Sequence, residues 1–205
     1  MKNMAYFHTK YSMKGATLLE VMISVLLLTF GILALMAAQL RSVASISEAE
    51  NRSIVSQAAE ALAEGMQMNA VLTKNGTTYR RRYSNYVPKS KPLYPGSVVT
   101  APTSLNRTNI TKAELAAQHL AEFEYVLSTQ LPNVSVLAYA ICLDKPDATP
   151  PVLGDGGALT DNCAPNNNNE HNTNMIKIAW RMGNANGTDK NQQSTTYTYM
   201  LEVGN

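Results

Sequence analysis

From Ala16 to Leu40 the chain reads ATLLEVMISVLLLTFGILALMAAQL, in which Glu20 is the one ionisable side chain and Arg41 the next charge. About 20 consecutive uncharged residues, each rising ~1.5 Å in a helix, span roughly 30 Å of hydrocarbon. The run therefore reads as a membrane segment. Lys2, Lys10 and Lys14 precede it without an acid, so the positive-inside rule places the first residues in the cytoplasm and the bulk of the chain outside. An ordinary secretory signal has a shorter apolar run followed by a small-residue cleavage site, and is discarded. Here the run is longer and leads into more helix. Residues 41–69 contain no proline and only Gly65 as a breaker, and Val43, Ile46, Ile54, Ala58, Ala61, Leu62 and Met66 fall mostly on one helical stripe. Glu48 and Arg52 form a favourable i,i+4 pair, whereas Glu60 and Glu64 are like-charged neighbours. The pattern predicts one helix from about residue 17 to about 69, roughly 80 Å long.

Composition narrows the chemistry. The chain has 205 residues, 16% of them charged, with two cysteines and three histidines (His8, His119, His171). That length suits one domain plus an appendage. Two cysteines cannot make a four-thiolate zinc or iron–sulfur site, and three scattered histidines are poor material for a metal centre. No cofactor or metal is expected. The net charge of +2 falls to −1 once the three lysines of residues 1–15 are set aside. Such a balance gives no global field for nucleic acid or anionic lipid, and any such binding must be local.

Lys14-Gly15-Ala16-Thr17-Leu18-Leu19-Glu20 followed by the apolar run resembles the class III signal of type IV prepilins: a basic leader, a glycine before the cut and a glutamate at the fifth mature position. Within that superfamily LLEVMISVLLLTFGILALMAAQL, with Gly31 and Gln39, resembles the PilV-type minor pilins, called PilI in some systems. The resemblance is specific over residues 14–40 and architectural beyond. It implies that prepilin peptidase cuts between Gly15 and Ala16 and N-methylates Ala16. It divides the chain into a cleaved leader (1–15), a transmembrane and assembly half-helix (16–40), and a periplasmic globular domain that includes the outer half of the helix (41–205). The family's first mature residue is usually Phe, where this chain has Ala16. Major pilins also commonly carry a proline in the membrane half, and this chain has none there, which favours a minor subunit with a continuous helix.

A carboxylate in hydrocarbon costs several kcal/mol unless it is paired, protonated or near the headgroups. After cleavage Glu20 would sit one turn into the helix, where the dipole and the new ammonium both favour negative charge. The resemblance implies that Glu20 meets the N-terminal ammonium of a neighbouring subunit and sets register; an ordinary interfacial acid is the alternative. Partners implied are other minor pilins, the major pilin, the prepilin peptidase and the pilus assembly platform of the inner membrane, with the fibre tip as a destination.

Residues 70–110 hold Lys74, Arg80, Arg81, Arg82, Lys89, Lys91 and Arg107 without an acid, interleaved with Tyr79, Tyr83, Tyr86 and Tyr94 and broken by Pro88, Pro92, Pro95 and Pro102. They read as an irregular connector with one short strand at most. Basic residues among aromatics can grip single-stranded DNA. The favoured reading is packing beside the acidic helix half bearing Glu48, Glu50, Glu60 and Glu64, or contact with another pilin, so nucleic acid is not an expected partner.

Thr111-Lys112-Ala113-Glu114 is a capping-box pattern, and Leu115, His119, Leu120, Phe123, Leu127 and Leu131 recur at helical spacing until Pro132. His119 reads as a packing histidine. Strand candidates are Val134–Cys142, Met175–Met182 and Thr195–Val203, with Ile176, Ile178 and Trp180 alternating and a polar turn at Gly183–Gln193. The expected product is an α+β pilin fold: a sheet packed on the outer half of the long helix, with a second helix beside it.

In an oxidising compartment Cys142 and Cys163 read as a bridge, closing the C-terminal loop that the family calls the D-region. Asp144, Asp147, Asp155 and Asp161 fall inside it. Their spacing does not match an EF-hand, so solvated loop acids are expected rather than a calcium site. Asn166–Asn169, Asn172 and Asn174 form a polar low-complexity loop. The chain offers no nucleophile elbow, no phosphate-binding glycine loop and no HExxH motif, so no enzyme is expected. The functional readings are a minor pilin that helps initiate type IV pilus assembly, a minor pseudopilin of type II secretion, or a DNA-binding competence pilin.

Overall fold

The computed structural model describes residues 16–93, 99–103, 109–131, 133–145, 147–164, 173–183 and 195–204. The leader 1–15 with Gly15 and His8, together with Tyr94, Pro95, Arg107, Pro132, Asn166–Asn169, His171, Asn172 and most of the polar turn after Gly183, lies outside the described residues. The chain divides into two units, Met1–Ile46 and Ser47–Asn205.

Helix α1 runs Ala16–Met68, 53 residues without a break. In the first unit its residues 18–43 are all exposed, and it is long and apolar enough to cross a membrane. The hydroxyls in that stretch satisfy themselves: Ser24 Oγ donates to the Glu20 carbonyl at 2.7 Å and Thr29 Oγ1 to the Leu26 carbonyl at 2.8 Å. Such back-bonding is how a helix carries hydroxyls where no water is available.

In the second unit α1 acquires a buried stripe. Asn51, Val55, Ala58, Ala59, Leu62, Ala63 and Met66 face inward, an i, i+4, i+7, i+8 spacing that lines one side of the helix, and the buried Asn69 follows just past its end. The stripe differs in part from the sequence expectation. Ala61 is exposed, as are Val43 and Ile46 in the first unit, while Val55, Ala59 and Ala63 take the inward places. Glu48 and Arg52 pair on the outside at 3.1 Å, as their spacing predicts.

Strands β1 (Val71–Asn75) and β2 (Thr78–Arg82) form an antiparallel hairpin of their own. Gly76, at the first position of its two-residue loop, has φ +60°, a conformation that glycine adopts without steric cost. β3 (Lys89–Leu93) joins the main sheet. The segment read as an irregular connector therefore holds three strands.

Helix α2 (Lys112–Thr129) starts at the expected capping box. Thr111 Oγ1 accepts from the Glu114 N–H at 3.2 Å, and Glu114 Oε2 accepts from the Thr111 N–H at 3.0 Å. Ala116, Leu120, Phe123 and Leu127 form its buried face.

The main sheet has the antiparallel order β3-β4-β7-β8, with β4 Val134–Asp144, β7 Thr173–Met182 and β8 Thr196–Val203. Its two faces differ in chemistry. Leu137, Tyr139, Ile141, Ile176, Ile178, Trp180 and Val203 lie in the core shared with α1 and α2. Across the sheet Ala138 and Ala179 pack with Leu153 and, half-buried, Val136 and Leu159. Leu153 belongs to β5 (Val152–Leu153), which pairs with β6 (Leu159–Thr160) around a 3-10 turn at Asp155–Gly157. The alanines let this loop lie close against the strands. Edge strand β3 carries Lys89, Lys91 and Pro92, and β8 forms the opposite edge. A long N-terminal apolar helix, a second helix, a small antiparallel sheet and a disulfide-closed loop make this an α+β, pilin-like fold.

Candidate functional site: the exposed helix and the anchored loop

The sequence-derived site residues fall into two groups. At the start of α1, Ala16 is the first helical residue, and Glu20 follows one turn later with its side chain exposed. The apolar surface C-terminal to Glu20 includes Leu26 (54% exposed), Phe30 (62%) and Leu33 (60%). A continuous apolar surface on that scale is not left to water in a stable protein; it belongs in lipid or against other helices.

The second group is the loop after β4. Cys142 and Cys163 are joined in a disulfide with Cα atoms 6.1 Å apart. A second anchor lies beside it, and the sequence reading did not foresee it. Lys177, in the middle of β7, is completely buried on the loop-facing side of the sheet. Its ammonium forms an ion pair with the Asp144 carboxylate, whose side chain is 5% exposed. It also donates to the backbone carbonyls of Thr149 (2.9 Å), Asp161 (3.0 Å) and Asn162 (3.1 Å). Asp144 Oδ1 accepts the Lys145 N–H at 2.7 Å.

A buried ammonium is tolerable only when its charge is paired and its protons are used. Here one carboxylate and three carbonyls supply that environment. Asp144 is thus no solvated loop acid. Asp147 is exposed, and Asp161 accepts the Cys163 N–H through Oδ1 at 3.2 Å. The positive charge that organises this loop is the protein's own lysine. Among the described residues, no group of three His, Cys, Asp or Glu is placed to hold a metal ion.

The basic, tyrosine-containing segment divides. Tyr83 and Tyr86 enter the core, and Tyr83 Oη donates to the Gly204 carbonyl at 2.5 Å. Burial raises both phenol pKa values, opposed at Tyr83 by the nearby Arg81 and at Tyr86 by Asn69. The hairpin behaves differently: Leu72, Lys74, Tyr79 and Arg81 are all exposed. Lys91 reaches α2, pairing with Glu124 Oε2 at 2.6 Å. Glu124 Oε1 also accepts from the Tyr139 hydroxyl, whose pKa is driven far up, first by burial and then by that carboxylate.

His119 packs as expected and is also hydrogen-bonded. Its Nδ1 lies 2.8 Å from the Tyr86 hydroxyl, and Asn69 Nδ2 donates to the same hydroxyl at 3.1 Å and to the Lys112 carbonyl at 2.7 Å. The network ties α1, the 83–88 turn and α2 together. Desolvation lowers the His119 pKa, with Glu122 opposing. A neutral ring leaves Nδ1 to accept the Tyr86 proton, a tautomer assigned from the surrounding bonds. Gly65 makes room for the imidazole, because a Cβ there would stand 2.7 Å from Nδ1.

Lys177 escapes the sequence reading, and with it the partner that makes Asp144 more than a loop acid, because a polar residue alternating with Ile176 and Ile178 ordinarily marks a solvated strand face. The available signal was the low-charge, Pro/Gly-rich stretch between the cysteines, long enough to fold back over that face. Comparison with protein-family models, with curated proteins and with solved structures finds no match to this chain.

Proposed function

We propose that this chain is a minor pilin of the PilV type, which joins other minor pilins in the inner membrane, primes type IV pilus assembly and sits at the fibre tip. One observation carries the reading. A single unbroken helix, α1, presents exposed apolar residues through residues 18–43, interrupted only by Glu20 and Arg41 among charges, and the same helix supplies a core stripe to the α+β domain. A helix with that division is retained with its folded domain rather than discarded as a signal.

In this reading prepilin peptidase removes residues 1–15 after Gly15 and methylates Ala16, so the chain is a substrate and not an enzyme. The mature helix stays in the inner membrane with residues 41–205 in the periplasm. When subunits leave the bilayer, the Glu20 carboxylate needs a partner charge, because an unpaired one in hydrocarbon costs several kcal/mol. The N-terminal ammonium of a neighbour supplies it and fixes register. The folded domain gives lateral specificity among subunits and contacts to the assembly platform.

N-terminal mass spectrometry of the native protein tests cleavage and methylation together; a mature chain beginning beyond Leu40 refutes the reading. Glu20→Ala is expected to insert and be cleaved but to lose its co-purifying pilins, and normal co-assembly of that variant removes the pairing role. Loss of surface fibres on deletion, with secretion intact, supports the pilus. The reverse outcome assigns the chain to type II secretion.

A further inference from the structure

Two surfaces of the folded domain carry exposed pairs of like charge, and the two pairs are of opposite sign. The first is the outer face of the β1–β2 hairpin. Register pairs Leu72 with Arg81 and Lys74 with Tyr79, so these four side chains share one face of the ribbon. All four are exposed, Leu72 at 66% and Tyr79 at 67%. Lys74 and Arg81 stand diagonally across the ribbon, about 7–8 Å apart, with the apolar pair between them. The second surface lies on the exposed side of α1, where the Glu60 carboxylate also lies near Tyr199 of β8. Glu60 and Glu64 are exposed there, one turn apart, about 5–6 Å between Cβ atoms, beside the exposed Ala61.

Like charges at such spacings repel, and each pair is a local cost unless something neutralises it. The ion pairs Glu48–Arg52, Lys91–Glu124 and Asp144–Lys177 use none of Lys74, Arg81, Glu60 or Glu64; Arg81 and Glu60 meet the neutral phenols of Tyr83 and Tyr199 instead. The sequence expectation that the basic segment would pack beside the acidic half of the helix is met by the buried tyrosines and not by these cations. Among the described residues no ion pair joins these cations to these carboxylates within one chain.

We infer that the hairpin face of one copy docks on the Glu60–Glu64 face of α1 in a second copy, with Lys74 and Arg81 against the two carboxylates and Leu72 and Tyr79 covering Ala61. The occupant follows from charge and spacing. A pair of cations 7–8 Å apart on flexible stems spans two carboxylates one helical turn apart, and the exposed apolar residues on both sides give the contact area that charge alone lacks. The docking is independent of the assembly role proposed above: cleavage at Gly15 and the function of Glu20 can fail while this contact persists.

The full-length protein in detergent micelles, followed by light scattering coupled to size exclusion, tests the inference. Self-association is expected at 10 mM salt, where the Debye length is about 30 Å, and is expected to weaken at least tenfold at 1 M, where it is about 3 Å. Lys74→Glu with Arg81→Glu is expected to abolish the salt-sensitive association, and so is Glu60→Lys with Glu64→Lys. All four positions are exposed, so thermal unfolding of both variants should match the parent. Mixing the two reversed proteins restores opposite charge across both hairpin–helix contacts between unlike copies, and a heteromeric complex is expected in the mixture alone. No salt-sensitive association in the parent overturns the docking, and so does a mixture that stays unassociated. If the hairpin reversal abolishes retention of a single-stranded DNA oligonucleotide while self-association is unchanged, the hairpin's occupant is nucleic acid and the inference is wrong.

Discussion

Replacing Lys177 by Met removes a fully buried ammonium while keeping most of the side-chain volume. The variant leaves the Asp144 carboxylate, 5% exposed, without its counter-charge, and the carbonyls of Thr149, Asp161 and Asn162 without their donor. Breaking a buried pair from one side costs about 3–5 kcal/mol, most of it the penalty for the charge left behind. The three carbonyls would add about 1–3 kcal/mol each if they stayed dry, but a loop that opens to water recovers part of that. The expected loss is therefore about 3–5 kcal/mol, a drop of roughly 6–20 °C in Tm for a domain of this size. The exposed Lys145→Met serves as the control and is expected to stay within about 0.5 kcal/mol of the parent. Removing both charges, Lys177→Met with Asp144→Leu, should cost less than Lys177→Met alone, because no bare carboxylate remains. Thermal and urea unfolding of the full-length, disulfide-intact protein in micelles provide the assay. A loss below about 1 kcal/mol for Lys177→Met, or a double variant less stable than the single, would refute the assignment of this ammonium as the loop's organising charge.

Three further outcomes follow from the same geometry. Cys142→Ser opens a loop closed across 21 residues and should cost about 3 kcal/mol by chain entropy, read in the same unfolding assay; free thiols at both cysteines of the exported protein would remove the bridge itself. Gly65→Ala should destabilise by about 1–3 kcal/mol through the 2.7 Å approach to His119, although alanine is the better helix former by about 1 kcal/mol; in a His119→Ala background the same change should stabilise, and a parallel cost in both backgrounds would refute the steric account. Because burial holds the folded-state pKa of His119 below its unfolded value of 6.5, its contribution to stability is full above that value and is lost as pH falls toward the folded-state pKa. Below pH 6.5 the parent should therefore lose stability faster than His119→Gln, and matching pH profiles would contradict that placement.

The parts of the fold that local physics governs were legible in the sequence. The apolar run and its continuation marked α1; the Thr111–Glu114 box and the Leu120, Phe123, Leu127 spacing marked α2; and the alternation of Ile176, Ile178 and Trp180 gave the core face of β7. The hairpin was missed because Arg80, Arg81 and Arg82 show no apolar alternation, although a glycine leading a two-residue loop, as in Gly76-Thr77, is a hairpin-turn signal. Which α1 positions face inward was only partly readable, since an Ala-rich helix gives several stripes of similar apolarity and the sheet decides among them. The Lys177 cage needs contacts between residues 144, 149, 161 and 177, and no periodicity in the chain encodes a loop's return.

The two rims of the main sheet are not equivalent, and that limits how copies can fuse when crowded. A strand edge with free amide groups is a template for another strand, and sheets brought together edge to edge can zip into insoluble stacks. On the β3 rim the two lysine charges of Lys89 and Lys91 and the ring of Pro92 interrupt such a template. Rim-to-rim growth would have to cross a β3 edge at every second step, so it stalls there. High local density thus does not extend the sheet from one domain into the next.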